Sequence, residues 1–163
     1  MISCVFPGSF DPLTNGHYHI IQRASTIFDH VTIAVMVNIS KTGCIPFEER
    51  VRIIKKACYE MKNISVELWD GLLADFMRTH HEKIIIRGVR TIAEYEHELQ
   101  SASLNKKLNP AIETLLIPAE PHDTDISSSA IREIAYFGGD YRSMVPREIY
   151  EDVKIWIGNQ QNR

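Results

Sequence analysis

Residues 31–37 read VTIAVMV. Six of the seven are apolar, so the segment has no polar face to turn toward water. A strand with one wet face alternates apolar and polar residues. An unbroken β-branched and apolar run instead marks a strand covered on both faces, the habit of parallel sheets. Parallel neighbours are joined by crossovers, usually helices, so helices should flank this run. Before it, residues 17–28 carry Ile20, Ile21, Ala24, Ile27 and Phe28 at helical spacing. After it, residues 47–61 read as helical, with Pro46 well placed at the start.

The same alternation extends in both directions. Residues 2–6, 64–68, 83–87 (KIIIR) and 113–117 (ETLLI) are further strand candidates. Residues 71–80, 92–107, 128–137 and 146–157 are further helix candidates. In the 92–107 helix, Ile92, Tyr95, Leu99 and Ala102 form the expected apolar stripe, while Glu94, Glu96 and Glu98 read most simply as a solvated face, with Glu98 flanking the stripe and free to pair with Arg90 or with solvent. Strand and helix alternate five times. The expectation is one α/β domain over residues 1–163, with a five-stranded parallel sheet flanked by helices and right-handed crossovers. Ligands of such sheets bind beyond the carboxyl ends of the strands, where strand order reverses.

Composition narrows the function. The chain has 163 residues, 44 % of them apolar, enough for one sizeable core. No apolar run approaches the roughly 20 residues that span a bilayer, and the N-terminus lacks the pattern of a signal peptide. Neither a membrane nor a secretory route is expected. Cys4, Cys44 and Cys58 are odd in number and lack CxxC spacing, which favours a reducing cytoplasm over disulfides or a cysteine zinc site. A net charge of −3 argues against nucleic acid as a partner.

Three stretches at strand ends carry chemistry. FPGSFDPLTNGH (residues 6–17) leaves the first strand through two glycines and two prolines and enters a helix. Gly8 and Gly16 allow close backbone approach to a ligand, and a helix start offers unpaired amides to phosphate. His17, three and four residues before Ile20 and Ile21, shares their inward side. It is either a helix-capping histidine or an imidazole aimed at an anion. RGVR (Arg87–Arg90) places two guanidiniums around a glycine, suited to phosphate oxygens or to water. DISSSAIR (Asp125–Arg132) opens a helix with three serines. One serves as the cap, and three exceed what a cap needs. Lys41, in NISK, is a surface charge or a phosphate cation.

Together these motifs resemble a known family. GSFDPLTNGH, with T-x-G-H at Thr14–His17, looks like the signature loop of the nucleotidyltransferase superfamily, and ISSSAIR like its second motif. PGSFDPLTNGH, Ser40-Lys41, EER at Glu48–Arg50, RGVR and ISSS, in this order and over nearly the whole chain, resemble the bacterial phosphopantetheine adenylyltransferases.

The resemblance implies a Rossmann-like fold and a cytoplasmic, hexameric enzyme. It would join ATP and 4′-phosphopantetheine into dephospho-coenzyme A and pyrophosphate, using Mg²⁺, without a covalent intermediate, and with coenzyme A as feedback inhibitor. Carried over position by position, His17 stabilises the α-phosphate in the transition state, and Ser9 and the Phe10 amide contact phosphates. Lys41 and Arg87 hold the acceptor phosphate beside Leu73. Gly88, Val89, Arg90 and Glu98 contact ATP, as do Asp123, Thr124, Asp125, Ile126 and Ser127. Ser128 and Ser129 reach the β- and γ-phosphates. Lys41, Arg90 and Ser9 join His17 in the catalytic set. The sequence departs from the family at Asp123 and Asp125, near which its members often carry aromatics. Two carboxylates beside a triphosphate repel it unless they face away or share Mg²⁺.

Overall fold

The structure is a computed structural model that describes residues 1–37 and 43–158. Five parallel strands form its sheet: β1 (Ser3–Gly8), β2 (His30–Met36), β3 (Ile64–Trp69), β4 (Ile84–Val89) and β5 (Glu113–Pro118). Their spatial order is β3-β2-β1-β4-β5. Six α-helices accompany them: α1 (Asn15–Ile27), α2 (Phe47–Ala57), α3 (Leu73–Thr79), α4 (Ile92–Leu108), α5 (Ser128–Tyr136) and α6 (Tyr150–Ile157).

The run that announced the sheet is buried on both faces. Val31, Ile33 and Val35 of β2 join Cys4 and Phe6 of β1 in the larger core, under α1, α2, α5 and α6. Ala34 of β2, Val5 of β1 and Ile85 of β4 point the other way, against Ala74, Phe76 and Met77 of α3. Adjacent residues thus serve opposite layers, as the two-residue period of a strand requires. Its one polar member is also satisfied: Ser65 donates its hydroxyl to Thr32 Oγ1 at 3.1 Å.

Chain order reverses between β1 and β4. From β1 the chain winds outward through β2 to β3, then returns to β4 on the opposite side of β1. The pairing of β1 with β4 is in register only at Val5 and Ile85. A cleft lies at the carboxyl ends of these two strands, where ligands of such sheets bind.

Three expectations are corrected. The helix expected over 47–61 stops at Ala57, because Cys58–Met61 closes a turn (Met61 N–H to Cys58 C=O, 2.9 Å) that feeds β3. Residues 146–157 begin as a 3₁₀ turn, Arg147–Ile149, and become α-helical only at Tyr150. The larger correction concerns α4. Its boundaries match, yet the stripe read as core faces outward: Ile92 is 81 % exposed, and Tyr95 and Leu99 are each 47 %. The residue that α4 buries is Glu98, at 6 %.

Ile86 of β4 is fully buried in the larger core. Truncating Ile86→Ala should lower unfolding free energy by about 2–5 kcal/mol, the cost of a lost side chain plus a residual cavity. Urea unfolding reads it; an unchanged midpoint would show that this layer is not tightly packed.

Candidate functional site

A cleft of about 350 Å³ lies at the β1/β4 crevice. That is a size suited to a small-molecule ligand. Its walls come from the β1–α1 loop, the end of β4, the inner side of α4 and the start of α5.

The β1–α1 loop is fixed from beneath by a buried ion pair. Asp11 is 5 % exposed and Arg50 of α2 is 4 %. Asp11 accepts from the Cys44 and Ile45 amides at 2.9 Å each, and Arg50 NH2 lies 3.5 Å from its Oδ2. Arg50 also donates to the Ile45 carbonyl (2.7 Å) and to the Ser9 carbonyl (3.0 Å). Every polar arm of the pair therefore ends on backbone or on the other partner, which is what a buried charge needs. From the far side, Arg132 of α5 donates to the Asp11 carbonyl at 2.5 Å, and Ser128 Oγ donates to the Pro12 carbonyl at 2.8 Å.

Held this way, the loop adopts a strained turn. Phe10 has φ 47°, rare for a bulky side chain and costly unless its surroundings enforce it. Its ring folds back under Gly8, where an added Cβ would sit 2.9 Å from Phe10 Cζ. Gly8 is thus explained by the approach of this ring. Gly88 has a similar cause: an added Cβ there would overlap Ile20 Cδ1 of α1.

His17 reads both ways at once. Thr14 caps α1, and its Oγ1 accepts the His17 amide at 3.2 Å. In return His17 Nδ1 accepts the Thr14 amide at 3.1 Å. An Nδ1 that accepts carries no proton, so the neutral ring bears its hydrogen on Nε2. The ring lies against Phe10 and Phe6, centroids 5.1 and 6.2 Å away, and borders the cleft. Burial, then the charges of Arg87 and Arg90, pull its pKa from 6.5 down to about 4. The cap thus produces a neutral imidazole with one directed N–H donor.

The two arginines of RGVR are oriented by α4. Glu98 accepts from Arg87 Nε at 2.8 Å and NH2 at 2.7 Å, while Arg87 NH1 donates to the Pro7 carbonyl at 2.5 Å. A guanidinium has five N–H groups. Three are used, so two remain for a ligand. Arg90 is gripped by Glu94 through its amide and side chain, and donates to the Ile126 carbonyl. The Glu94 carboxyl stays below its ordinary range: burial works to raise it, but the Arg90 hydrogen bonds prevail. At the start of α5, Ser127 is the cap and accepts from the Ala130 amide.

Of the expected site residues, Ser9, Phe10, His17, Arg87, Gly88, Arg90, Glu98, Ile126, Ser127, Ser128 and Ser129 all line the cleft. Val89, Thr124, Asp125 and Leu73 do not border it. Leu73 packs at the start of α3 against the smaller core, and Asp125 is exposed. Asp123 turns away, its Oδ2 2.5 Å from His19 Nδ1. Neither departure from the family's aromatics therefore puts a carboxylate into the cleft. Lys41 lies outside the described residues. Glu98, read as a solvated residue of α4, is a buried clamp on Arg87. Arg50, Arg132 and Glu94 were missed. Arg50 stood in the EER motif without a role, and Glu94, four residues after Arg90, had the spacing of an ion pair.

The chain matches the cytidylyltransferase-like family over residues 5–134. It is 46 % identical over 149 residues to the phosphopantetheine adenylyltransferase of Clostridium tetani, covering 91 % of this chain and 93 % of that protein. It is 43 % identical over 155 residues to the enzyme of the same name from Clostridium perfringens, covering 95 % and 94 %. Among solved structures, a bifunctional NMN adenylyltransferase/ADP ribose pyrophosphatase from Francisella tularensis, complexed with AMP and a manganese ion, superposes with a TM-score of 0.72. At 17 % identity, over 98 % of this chain and 50 % of that one, it shares the Rossmann-like fold.

The folded protein binds a proton at His17 less readily than the unfolded chain between about pH 4 and 6.5. His17 therefore costs stability as pH falls through that window and none above it. In NMR titration of the unliganded protein, its ring signals should stay constant from about pH 8 to 5 and move near 4. Titration near 6.5 would contradict the buried, arginine-flanked environment.

Proposed function

The chain belongs to the phosphopantetheine adenylyltransferase family, and from that premise we propose that it transfers the adenylyl group of ATP to 4′-phosphopantetheine, releasing pyrophosphate and dephospho-coenzyme A. The observation that carries this reading is the neutral His17, its Nδ1 committed to Thr14, beside two arginines already aimed by carboxylates.

The nucleophile is a phosphate oxygen, already anionic, so no general base is required. It attacks the α-phosphorus in line. One P–O bond forms as the bond to the departing pyrophosphate breaks. The remaining work is to position two polyanions and stabilise the charge that develops between them. His17 Nε2–H donates to the α-phosphate, and being neutral it has no positive charge to desolvate. Ser9 and the Phe10 amide contact phosphate from the strained loop. The two remaining donors of Arg87, with Lys41, hold the acceptor phosphate. Arg90 and Gly88 contact the nucleotide, with Ile126 and Ser127 beside it. Ser128 and Ser129 meet the β- and γ-phosphates. Glu98 acts through Arg87.

Mg²⁺ fits as a passenger of the nucleotide. Among the described residues, the cleft carboxylates Asp11, Glu94 and Glu98 all have arginine partners. Mg²⁺ commonly keeps several waters and binds through substrate phosphates, where it neutralises their charge.

The reading extends to assembly and control. The exposed apolar residues of α4, with Leu104 and Leu108, support the homohexamer that the resemblance implies. Sedimentation should find an oligomer, and a monomer at micromolar concentration would remove that part. Coenzyme A, built on the product's scaffold, would compete for the same cleft as a feedback inhibitor. Three cysteines without CxxC spacing fit a cytoplasmic setting, and no described helix is long and apolar enough to cross a membrane.

The test is pyrophosphate release from Mg-ATP with 4′-phosphopantetheine, using nicotinate mononucleotide as control acceptor. Release should depend on phosphopantetheine and yield dephospho-coenzyme A. Turnover of the control alone would overturn the assignment. In the same assay His17→Ala should lower kcat about 10²- to 10³-fold with ATP binding preserved, the pattern of a lost transition-state donor. A raised KM for ATP at unchanged kcat would assign His17 to ground-state binding instead.

A further inference from the structure

Outside the cleft, a second cluster joins α1 to the loop that leads into α5. Asp123 is 1 % exposed, yet its Oδ1 has no hydrogen-bond partner among the described residues. Its Oδ2 lies 2.5 Å from His19 Nδ1, and its Oδ1 lies 3.9 Å from His122 Nε2. The two imidazoles meet edge to face, centroids 5.3 Å apart. One donor atom from each of the three residues lies within 4.8 Å of the other two.

A hydrogen-bonded His19–Asp123 pair explains one carboxylate oxygen and one imidazole. It leaves a buried anionic oxygen unsatisfied, which is costly, and gives no reason for the second imidazole beside that oxygen. A cation between the three groups would satisfy Oδ1 and use both rings. We infer that His19, His122 and Asp123 form a site for one divalent transition-metal ion of the Zn²⁺ class.

The donor chemistry selects the ion. Two imidazole nitrogens and one carboxylate oxygen suit Zn²⁺, Co²⁺, Ni²⁺ or Fe²⁺, whereas Mg²⁺ and Ca²⁺ want oxygen alone. Zinc–ligand bonds of about 2.0–2.2 Å set tetrahedral donors roughly 3.3 Å apart. The cluster must therefore contract around the ion. His122 is the residue to move: its side chain is 68 % exposed, while Asp123 is buried and His19 is on a helix. Water would complete the shell.

Such an ion would act as a clamp. Asp123 packs directly on α1, its Cβ within 3.6 Å of where a Gly16 Cβ would be. His122 and Asp123 lie on the segment that runs into Ser127–Ser129, the cap and first residues of α5. Occupancy would pin that loop to the first turns of α1, which also carry His17.

The test uses the full chain, stripped with a chelator, and Zn²⁺ or Co²⁺ alone as probe. Titration calorimetry should give one ion per chain, and bound Co²⁺ should show the visible absorption of a low-coordinate nitrogen–oxygen site. Zn²⁺ should raise the melting temperature, and excess Mg²⁺ should not displace it. His122→Ala, at an exposed position, should weaken binding beyond the roughly 10- to 100-fold that loss of a supporting contact costs, and should abolish the thermal shift. Asp123→Asn should do the same if it folds. No binding by the native chain, or equal affinity in His122→Ala, would overturn the inference.

Discussion

The buried pair of Asp11 and Arg50 is the constraint on which the site depends. A charge taken from water must find partners or shift its equilibrium. Here the partners are backbone groups of two separate segments: the Ser9 carbonyl in one, and the Cys44 amide with both polar groups of Ile45 in the other. Satisfying two charges therefore fixes the path of two loops. One of them carries Phe10 into its left-handed conformation and delivers Thr14 to cap α1. Without that anchor, little in a loop of small and stiff residues would hold a bulky side chain at positive φ.

The same logic runs through the cations of the cleft. Arg87 and Arg90 are not free surface charges that collapse onto a ligand. Glu98 and Glu94 hold their forks in place beforehand, so less rotamer freedom is lost when phosphate arrives. These carboxylates also reduce the net positive charge of the cleft, which would otherwise repel itself. His17 follows the opposite course: buried beside two cations, it stays neutral and offers a dipole in place of a charge.

Much of this was legible in the sequence, for identifiable reasons. VTIAVMV disclosed a sheet covered on both sides because burial on both faces suppresses alternation. The strand-end motifs disclosed the cleft because a doubly wound sheet collects its ligands there. The outward face of α4 was misread because periodicity reports that residues share a side, never which side faces the sheet. Glu98, carried over as an ATP contact, was not read as buried for the same reason. Arg50 and Arg132 stood in quoted motifs, but their roles went unread because their partners lie 39 and 121 positions away, beyond any local pattern.

The reach of α5 has a consequence for how the protein is made. Ser128 and Arg132 close on the carbonyls of Pro12 and Asp11, more than a hundred residues upstream. A ribosome emits the T-x-G-H loop more than a hundred residues before this closing helix. Until Arg132 has emerged, the nascent chain holds half a cleft, with the far wall missing. The motif that most strongly marks the protein in its sequence is therefore among the last parts to gain its finished surroundings. A prematurely terminated chain would keep the signature and lack the site.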